Sequence, residues 1–285
     1  MNYSEQLDIL IRNALIEDIG DGDHSTLCCI DKDARGKAVL KVKQDGILAG
    51  MQVAERIFNL VEPGIKFTPY MKDGEGMKYG DTAFSVEAHV HTILKAERLV
   101  LNTMQRMSGI ATLTNTYTEQ LKGYKTRLLD TRKTTPNFRL LEKEAVRIGG
   151  AINHRSGLYD MIMLKDNHID YCGSIEKAIN LAHSYAQTQS RNLKIEVETR
   201  SIDEVKRVIA FGKVDRIMLD NFKPAMIKEA LALINGAFKT EASGGINLEN
   251  IKDYAETGVD FISSGAIIHQ AVNLDLSLKA EIFKN

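Results

Sequence analysis

Basic side chains cluster where short apolar runs of the chain end. They are Arg132, Lys133, Arg139, His154, Arg155 and Lys165, with Arg98 and Arg106 on a helix that precedes them. A guanidinium group matches a carboxylate or a phosphate through two parallel hydrogen bonds. Several basic groups around one pocket therefore predict a substrate that carries more than one negative charge.

A second set of candidate residues is acidic. Glu198 and Asp220 each close an apolar, strand-like run, and strand alternation places Glu196 on the same side as Glu198. Two carboxylates at neighbouring strand ends could hold Mg²⁺ or stabilise a cationic transition state. Ion pairs with the nearby basic groups are the competing interpretation. Both can hold, in the free and in the substrate-loaded enzyme respectively.

Two loops of small residues follow the last two apolar runs, Ala242-Ser-Gly-Gly-Ile and Ser263-Ser-Gly-Ala. Glycine lets backbone N–H groups approach an anion where a helix begins, and barrel enzymes often bind phosphate in their last two loops. The candidate phosphate-binding residues are Ser243, Gly244, Gly245, Ser264 and Gly265, with His269 one turn later, although a packed or surface histidine is an equal interpretation there. The basic, acidic and small residues together predict a site for a phosphorylated sugar, with Mg²⁺, and a second compact polyanion.

The elements that must position these residues alternate between strand and helix from residue 126 onward. Apolar runs of strand length lie at 127–130, 150–153, 161–164, 194–197, 216–219, 238–241 and 261–263. Most are separated by helices with capping signals. A polar, charged or glycine residue follows every one of these runs, as in a barrel, where such groups collect at the mouth. An open doubly wound sheet would concentrate them at one switch point. Seven strands instead of eight predict an incomplete parallel α/β barrel.

The first hundred residues follow a different pattern, typical of a small α+β domain. Strand-like runs are predicted over 37–43, 65–71 and 82–89, and a helix over 51–61. A long helix should begin at Thr92 and break at Gly109, with a second helix over 111–121. We expect an N-terminal domain over residues 1–109, a catalytic barrel over 110–274, and a helix over 275–285 that could pack on the N-terminal domain.

Composition excludes several classes of function. The formal net charge is −1, and no aromatic residues interleave with the basic ones, which argues against nucleic acid as a partner. No apolar run of about 18 residues predicts a membrane span, and charges interrupt the apolar residues near the N-terminus as no signal peptide would allow. Cys28, Cys29 and Cys172 lack zinc-like spacing and suit a reducing compartment. We expect a cytoplasmic protein without an organic cofactor.

A series of motifs runs in order along nearly the whole chain. They are Glu97-Arg-Leu-Val-Leu-Asn, Ser108-Gly-Ile-Ala-Thr, Asp130-Thr-Arg-Lys-Thr-Thr-Pro, Asn153-His-Arg-Ser-Gly-Leu, Leu164-Lys-Asp-Asn-His, Leu219-Asp-Asn and Glu241-Ala-Ser-Gly-Gly-Ile. This set resembles the signature of the quinolinate phosphoribosyltransferase family, also called nicotinate-nucleotide pyrophosphorylase (carboxylating). Asn137-Phe138 departs from it, since the family usually has Gly-Leu there.

The resemblance implies a fold, an activity and a partner. The fold is an N-terminal α/β sandwich domain followed by an incomplete, seven-stranded parallel α/β barrel. The activity is transfer of the phosphoribosyl group of phosphoribosyl pyrophosphate to quinolinate with loss of CO₂, giving nicotinate mononucleotide for NAD synthesis. The partner is a second copy of the chain, in a homodimer where each N-terminal domain covers the barrel mouth of the other chain.

Roles for individual residues also follow from the resemblance. The quinolinate carboxylates would be held by Arg132, His154, Arg155 and Lys165, with Arg98 from the partner chain. Lys133 would lie between the substrates and act, like Glu198 and Asp220, in catalysis. Glu198 and Asp220 would serve the ribose hydroxyls and Mg²⁺, directly or through water. The 5-phosphate would be cradled by Ser243, Gly244, Gly245 and Gly265.

Three alternatives stay open on the sequence. A paralogue of the same fold, associated with molybdenum transport, would keep the phosphate loops but alter the basic cluster. A barrel aldolase or isomerase would use Lys165 or Lys133 as a Schiff-base amine. A non-catalytic phosphosugar-binding module would bind phosphoribosyl pyrophosphate without releasing pyrophosphate.

Overall fold

The computed structural model describes residues 2–189 and 192–281. The first elements are α1 (Tyr3–Ile19), α2 (His24–Cys29), β1 (Arg35–Val42), β2 (Gly46–Ile47), α3 (Met51–Val61), β3 (Lys66–Pro69), β4 (Gly76–Met77), β5 (Thr82–His89), α4 (Val90–Gln120), β6 (Arg127–Leu129) and α5 (Arg139–Ile148). The later ones are β7 (Ile162–Leu164), α6 (Asp166–Cys172), α7 (Ile175–Thr188), β8 (Ile195–Thr199), α8 (Ile202–Phe211), β9 (Arg216–Asp220), α9 (Pro224–Ile234), β10 (Lys239–Ser243), α10 (Ile251–Ala255), β11 (Phe261–Ser263), α11 (Ala266–His269) and β12 (Leu276–Glu281). Within these ranges, no helix has both the length and the apolarity that crossing a bilayer requires.

The chain divides into two compact units. Unit 1 comprises Met1–Asn115, Thr134–Gly150 and Gln270–Asn285, and unit 2 comprises Thr116–Lys133 and Ala151–His269. The predicted boundary at residue 109 falls inside α4, which runs from unit 1 into unit 2.

Unit 1 is built on an antiparallel sheet in the order β12-β1-β5-β3. Helix α3 contributes Phe58 to an aromatic cluster with Phe67 of β3 and Phe84 of β5, whose ring centroids lie 4.6 to 6.3 Å apart. The predicted helix over 51–61 and strand over 82–89 are confirmed to the residue. The apolar face of α3, which buries Val53, Ala54, Ile57 and Phe58, explains why its periodicity was readable.

The predicted helix over 275–285 is wrong where the structure describes it. Residues Leu276–Glu281 form strand β12, which pairs antiparallel with β1 and sets Leu278 opposite Leu40. The alternation of buried Leu276 and Leu278 is a strand pattern, and pairing with β1 completes the sheet of unit 1. Residues 282–285 lie outside the described residues.

Helix α4 is continuous where two helices were predicted. It begins at Val90, before the expected cap Thr92, and passes through Gly109 without a break. A Cβ atom at Gly109 would collide with the carbonyl oxygen of Val272. Glycine at this position therefore serves close packing of two backbones and does not end the helix.

Unit 2 contains a parallel sheet in the order β6-β11-β10-β9-β8-β7. Six of the seven predicted strands form this sheet. The other, predicted over 150–153, is reduced to one bridge between Leu129 and Ile152. The side chain of Asp130 accepts hydrogen bonds from the backbone N–H of His154 (2.7 Å) and from the amide of Asn153 (2.8 Å). Backbone hydrogen bonds from Ile152 N–H to Leu128 (3.0 Å) and from Asp130 N–H to Ile152 (3.2 Å) form the bridge, and the side chain of Asp130 holds the two residues that follow.

The sheet of unit 2 is strongly curved. In a flat sheet, the segment at Ile152 and strand β8 would lie roughly 24 Å apart, because five strand spacings separate them. Nevertheless, His154 Nε2 lies 3.1 Å from the Glu196 carboxylate on β8. Side chains from distant strands meet inside the sheet, as in an incomplete barrel.

Arg106, which the sequence placed among the basic candidates, belongs to a buried ion pair in unit 1. Its Nε and Nη2 atoms donate to Glu142 at 3.0 and 2.8 Å, and Nη1 donates to the carbonyl of Ala271. The fully buried Glu142 also accepts from the backbone and the hydroxyl of Thr135, at 2.8 and 2.9 Å. Thr135 ends the Asp130-Thr-Arg-Lys-Thr-Thr motif, so this ion pair anchors one end of it.

We predict that Glu142→Gln lowers the free energy of unfolding by about 3 kcal/mol, because it leaves the mostly buried guanidinium of Arg106 without its charged partner. The matched control is Glu144→Gln on the same helix, whose partner Arg147 is exposed and whose loss should cost less than about 1 kcal/mol. Urea denaturation of the two variants and the wild type measures both values. Equal losses would contradict a special role for Glu142.

Candidate active site

The deepest part of the barrel interior of unit 2 holds four charged or polar groups. Glu196 on β8 and Glu241 on β10 are fully buried, and each carboxylate approaches His154 Nε2, at 3.1 and 3.3 Å. Arg216, the first residue of β9, donates to Glu241 at 2.7 Å and lies 3.6 Å from Glu196. The ring of Phe261 stacks on its guanidinium, with 4.4 Å to the ring centroid. We call these four residues the buried cluster: His154, Glu196, Arg216 and Glu241.

The groups of the buried cluster shift one another's pKa values. Burial would lower the pKa of His154, but hydrogen bonds to Glu196 and Glu241 and their charges outweigh it and raise the pKa to about 9. Burial and the charge of Glu241 raise the pKa of Glu196 to about 7, against the opposing effect of His154. The pKa of Glu241 is lowered, because His154, Ser263 and Arg216 together overcome burial.

Geometry conflicts with a doubly protonated ring on His154. Its Nδ1 atom accepts a hydrogen bond from the backbone N–H of Arg155 at 2.6 Å, which is too close for two N–H groups to face each other. The contact at 2.6 Å therefore requires an Nδ1 atom without a proton, and a ring protonated on both nitrogens would have to move away from the N–H of Arg155.

The described residues contain one group with the geometry of a metal site, formed by His154, Glu196 and Glu241. Arg216 already occupies the oxygen of Glu241 that a metal ion would use. A guanidinium at this distance repels a second cation and balances the carboxylate charge. We interpret the group as a closed ion-pair cluster.

His154 and Arg155 line a cavity of about 620 Å³ on the side where the strands begin. The sequence placed these two residues where the apolar run 150–153 ends, and the structure shows them beside residues that begin neighbouring strands, such as Arg216 and Phe261. The half-buried Arg155 donates to the carbonyl of Met161 at 3.3 Å. Burial, and then the neighbouring charge of Arg132, lowers the pKa of Arg155. Two guanidinium groups close together favour an anion between or beside them.

The other acidic candidates lie at the ends of the strands. Lys165 Nζ, after β7, lies 2.9 Å from the carboxylate of the buried Glu198. Asp220 ends β9, and its pKa is raised by burial and then by the charge of Glu198. Alternation along β8 keeps Glu196 and Glu198 on the same face, as predicted. The ion pair expected for the free enzyme is therefore present, and the two carboxylates are close enough to repel.

The first glycine loop is shaped for a close approach of backbone atoms. Gly244 and Gly245 both have positive φ, at 96° and 64°. A Cβ atom at Gly244 would collide with the side chain of Asn221, which itself donates to Asp220 at 2.6 Å. The loop after β10 is thus packed directly beside the carboxylate of Asp220.

The second loop gathers three of the candidate residues. An added Cβ at Gly265 would lie 3.0 Å from Lys133 and 3.2 Å from His269, so these side chains flank the glycine. Ser264 behaves differently: its N–H donates to the Leu129 carbonyl at 3.1 Å, and its hydroxyl donates to that of Ile246 at 3.0 Å. Since both donors are used within the chain, we assign Ser264 to packing of the loop. Arg98 lies exposed on α4 in unit 1.

Sequence reasoning missed two members of the buried cluster. Glu241 was recognised only as part of a motif, and Arg216 only as the start of a strand. The available signal was weak: alternation along the run 238–243 puts Lys239, Glu241 and Ser243 on one face, so nothing in the sequence alone marked Glu241 as buried.

Comparison with known proteins decides the family. The model of the quinolinate phosphoribosyl transferase C-terminal domain matches residues 110–279, and that of the N-terminal domain matches residues 23–108. The chain belongs to the quinolinate phosphoribosyltransferase family. Both domains of the family are present, in the family's order.

Individual family members are similar over nearly their full length. Quinolinate phosphoribosyltransferase [decarboxylating] 1b of Nicotiana tabacum is 43% identical over 291 residues, which cover 95% of this chain and 81% of the relative. The probable nicotinate-nucleotide pyrophosphorylase [carboxylating] of Synechocystis is 42% identical and covers 96% and 92%. The crystal structure of NadC from Streptococcus pyogenes superposes with a TM-score of 0.90 at 41% identity, over 96% and 95% of the two chains. The α/β fold with an incomplete barrel is therefore that of the quinolinate phosphoribosyltransferase family.

Proposed function

We propose that this chain is a pentosyltransferase that transfers the phosphoribosyl group of phosphoribosyl pyrophosphate to quinolinate, releasing CO₂ and pyrophosphate and forming nicotinate mononucleotide. The observation that supports the proposal is that unit 2 brings two kinds of binding group together. The neighbouring guanidinium groups of Arg132 and Arg155 suit a dicarboxylate. The carboxylates of Glu198 and Asp220 and the nearby glycine loops suit a phosphorylated sugar.

Quinolinate would lie in the deeper part of the barrel. Arg132 and Arg155 would pair with its carboxylates, since each guanidinium lowers the cost of binding an anion beside the other. Lys165 would reach the same acid from the strand ends, and Arg98 would come from a second copy of the chain. His154 contributes to this region from the wall of the cavity.

The ribose would lie at the strand ends, beside Glu198 and Asp220. The pKa of Asp220 is raised first by burial and then by the negative charge of Glu198, and the charge of Lys165 opposes both effects. Oxygen ligands with surplus negative charge fit Mg²⁺, bound directly or through water. When bound, the ion would offset charge on the pyrophosphate. No organic cofactor is needed for this chemistry.

The reaction then follows from charge. The pyridine nitrogen attacks the anomeric carbon of the ribose as pyrophosphate leaves, and positive charge develops on the sugar. Glu198 and Asp220 stabilise that charge, while Lys133, beside Gly265, faces the departing anion. The pyridinium formed withdraws electrons from the adjacent ring carbon, so that its carboxylate leaves as CO₂ and the electron pair left on the carbon takes a proton from water. No covalent bond to the protein is required.

The Schiff-base alternative is disfavoured by the ion pair of Lys165. An amine that forms a Schiff base must be free to attack a carbonyl, whereas Nζ of Lys165 lies 2.9 Å from the carboxylate of Glu198. Borohydride should therefore trap no substrate on the protein.

Assembly and location are also proposed. A homodimer with shared sites would explain a role for the exposed Arg98. A cytoplasmic location is supported by three cysteines that form no disulfide.

We predict that nicotinate is a much poorer substrate than quinolinate. A monocarboxylate would form one fewer ion pair with Arg132 and Arg155 than a dicarboxylate, at a cost of roughly 1–3 kcal/mol. The measurement is kcat/KM for both acids at saturating phosphoribosyl pyrophosphate, with the nucleotide product identified by chromatography. Comparable values for the two acids would refute the proposed substrate.

A further inference from the structure

Asn221 connects two parts of the proposed site that lie on different strands. It follows Asp220, the last residue of β9, and its backbone N–H donates to the carbonyl of Ser243 on β10 at 2.8 Å. Its side-chain nitrogen Nδ2 donates to Oδ2 of Asp220 at 2.6 Å. One residue is therefore bonded both to the carboxylate and to the strand that leads into the first glycine loop.

The backbone of Asn221 has a conformation that few side chains tolerate. Its φ is 58°, in the left-handed region where asparagine is enriched among the residues other than glycine. In a regular strand, the side chains of neighbouring residues point to opposite faces. The left-handed turn at the end of β9 thus lets the amide of Asn221 reach the residue directly before it.

A third contact joins Asn221 to the glycine loop itself. A Cβ atom built on Gly244 would lie 2.2 Å from Oδ1 and 2.7 Å from Cγ of Asn221, so the amide occupies the space that a larger residue would need. The φ of Gly244 is 96°, which also favours glycine. The amide therefore lies between the carboxylate of Asp220 and the backbone of Gly244.

Stability alone gives little reason for this arrangement. Asn221 is exposed, and glycine would adopt the same backbone conformation without any side chain. A hydrogen bond between groups that water can reach adds little to stability, because water competes for both partners. The contacts of Asn221 therefore fit a role in the site better than a role in the fold.

We propose that Asn221 is a positioning residue that holds the carboxylate of Asp220 at a fixed distance from the loop at Gly244. The ribose and the 5-phosphate belong to one molecule, so the groups that bind them must keep a fixed separation. Because the amide engages Oδ2, Oδ1 of Asp220 can face the ribose or the ion. This inference rests on the proposed function for the identity of the substrate, whereas the contacts of Asn221 do not depend on it.

The chemistry of the amide explains why asparagine suits this position. Its Nδ2 group is a hydrogen-bond donor to the carboxylate, whereas an aspartate of the same shape would repel Asp220. Glycine would adopt the backbone conformation but would leave the carboxylate free to rotate. A binding group that is displaced by about 1 Å can cost roughly 10²-fold in rate.

The first test removes the amide in two ways. Asn221→Gly keeps the left-handed backbone and deletes the side chain, whereas Asn221→Asp keeps the shape and replaces the donor by a negative charge. Each variant should raise KM for phosphoribosyl pyrophosphate by about tenfold or more, while KM for quinolinate changes less than about twofold. An unchanged KM for phosphoribosyl pyrophosphate in either variant would overturn the proposal.

The matched control is Asn235→Gly. Asn235 ends helix α9 with a φ of 46°, so the same substitution is made in the same backbone region. Helix α9 leads from the end of β9 to the start of β10, which places Asn235 at the other end of these strands. Neither KM should change in this variant. A rise in KM for phosphoribosyl pyrophosphate equal to that of Asn221→Gly would reduce the effect to general loosening and overturn the proposal.

The second test asks whether Asn221 acts together with the loop. Gly244→Ala places a methyl group against the amide of Asn221 and should lower kcat/KM for phosphoribosyl pyrophosphate. In Gly244→Ala/Asn221→Gly the colliding amide is gone, while the backbone strain of alanine at residue 244 is the same in both backgrounds. The double variant should therefore retain at least about tenfold more activity than the product of the two single effects predicts. Independent effects would overturn the link between Asn221 and the loop.

The outcomes distinguish the inference from the proposed function. Wild-type turnover of quinolinate together with unchanged KM values in Asn221→Gly would overturn the inference alone. A wild type that releases no pyrophosphate with quinolinate would overturn the proposed function, and affinity for phosphoribosyl pyrophosphate with Mg²⁺, measured by calorimetry, would then replace KM in both tests. A wild type that does not bind phosphoribosyl pyrophosphate would overturn both.

Discussion

Replacing Glu198 by glutamine, or Asp220 by asparagine, is expected to lower turnover by roughly 10²-fold or more while quinolinate binds almost normally. Both amides keep the shape of the side chain and remove its charge. If the carboxylates stabilise the cationic sugar, the loss appears in kcat. The measurements are kcat, quinolinate affinity and melting temperature for each variant.

The control variant should remove a carboxylate that lies on the same strands but outside the proposed site. Glu196 is unsuitable, because its carboxylate lies 3.1 Å from His154. Asp215→Asn is suitable, because Asp215 lies at the opposite end of the same strands and pairs with Lys194 at 2.7 Å. Near-wild-type turnover with a lowered melting temperature for Glu198→Gln would leave Glu198 as an ion-pair partner of Lys165 only.

Arg98→Ala is expected to be inactive although the residue lies before the barrel. The reason is the proposed site shared between two chains, in which Arg98 binds a quinolinate carboxylate of the partner's site. Mixing inactive Arg98→Ala with inactive Lys133→Ala should restore about a quarter of wild-type activity, because half the dimers are mixed and each carries one intact site.

The matching control is a mixture of Arg132→Ala with Lys133→Ala. Both residues lie in the same barrel, so no intact site can form and activity should stay at background. No recovery for the first pair, with exchange of subunits demonstrated by mass spectrometry, would argue against a shared site.

The comparison of sequence and structure shows which signals were local. The helix Met51–Val61 and the strand Thr82–His89 were predicted to the residue, because hydrophobic periodicity and flanking glycines lie within the segment itself. The helix break at Gly109 and the C-terminal helix were wrong for a different reason. The contact of Gly109 with Val272, and the pairing of β12 with β1, depend on residues far away in sequence.

The candidate site divides in the same way. Glu198, Asp220 and the glycine loops were recognisable because they end strands, and the structure puts them at strand ends. The burial of His154 and the position of Arg155 could not be predicted from the sequence. The run 150–153 has the pattern of a strand, but in the structure the side chain of Asp130 accepts hydrogen bonds from Asn153 and His154. The partners Glu241 and Arg216 become visible only when the sheet curves and brings β8, β9 and β10 around one ring.

The most direct test of the proposed activity is the dependence of pyrophosphate release on the acid. Purified protein is mixed with phosphoribosyl pyrophosphate and Mg²⁺, and pyrophosphate is followed before and after addition of quinolinate labelled with ¹⁴C in the carboxylate next to the nitrogen. Release should begin only with quinolinate and match labelled CO₂ one for one. Release without quinolinate, or without labelled CO₂, would contradict the account.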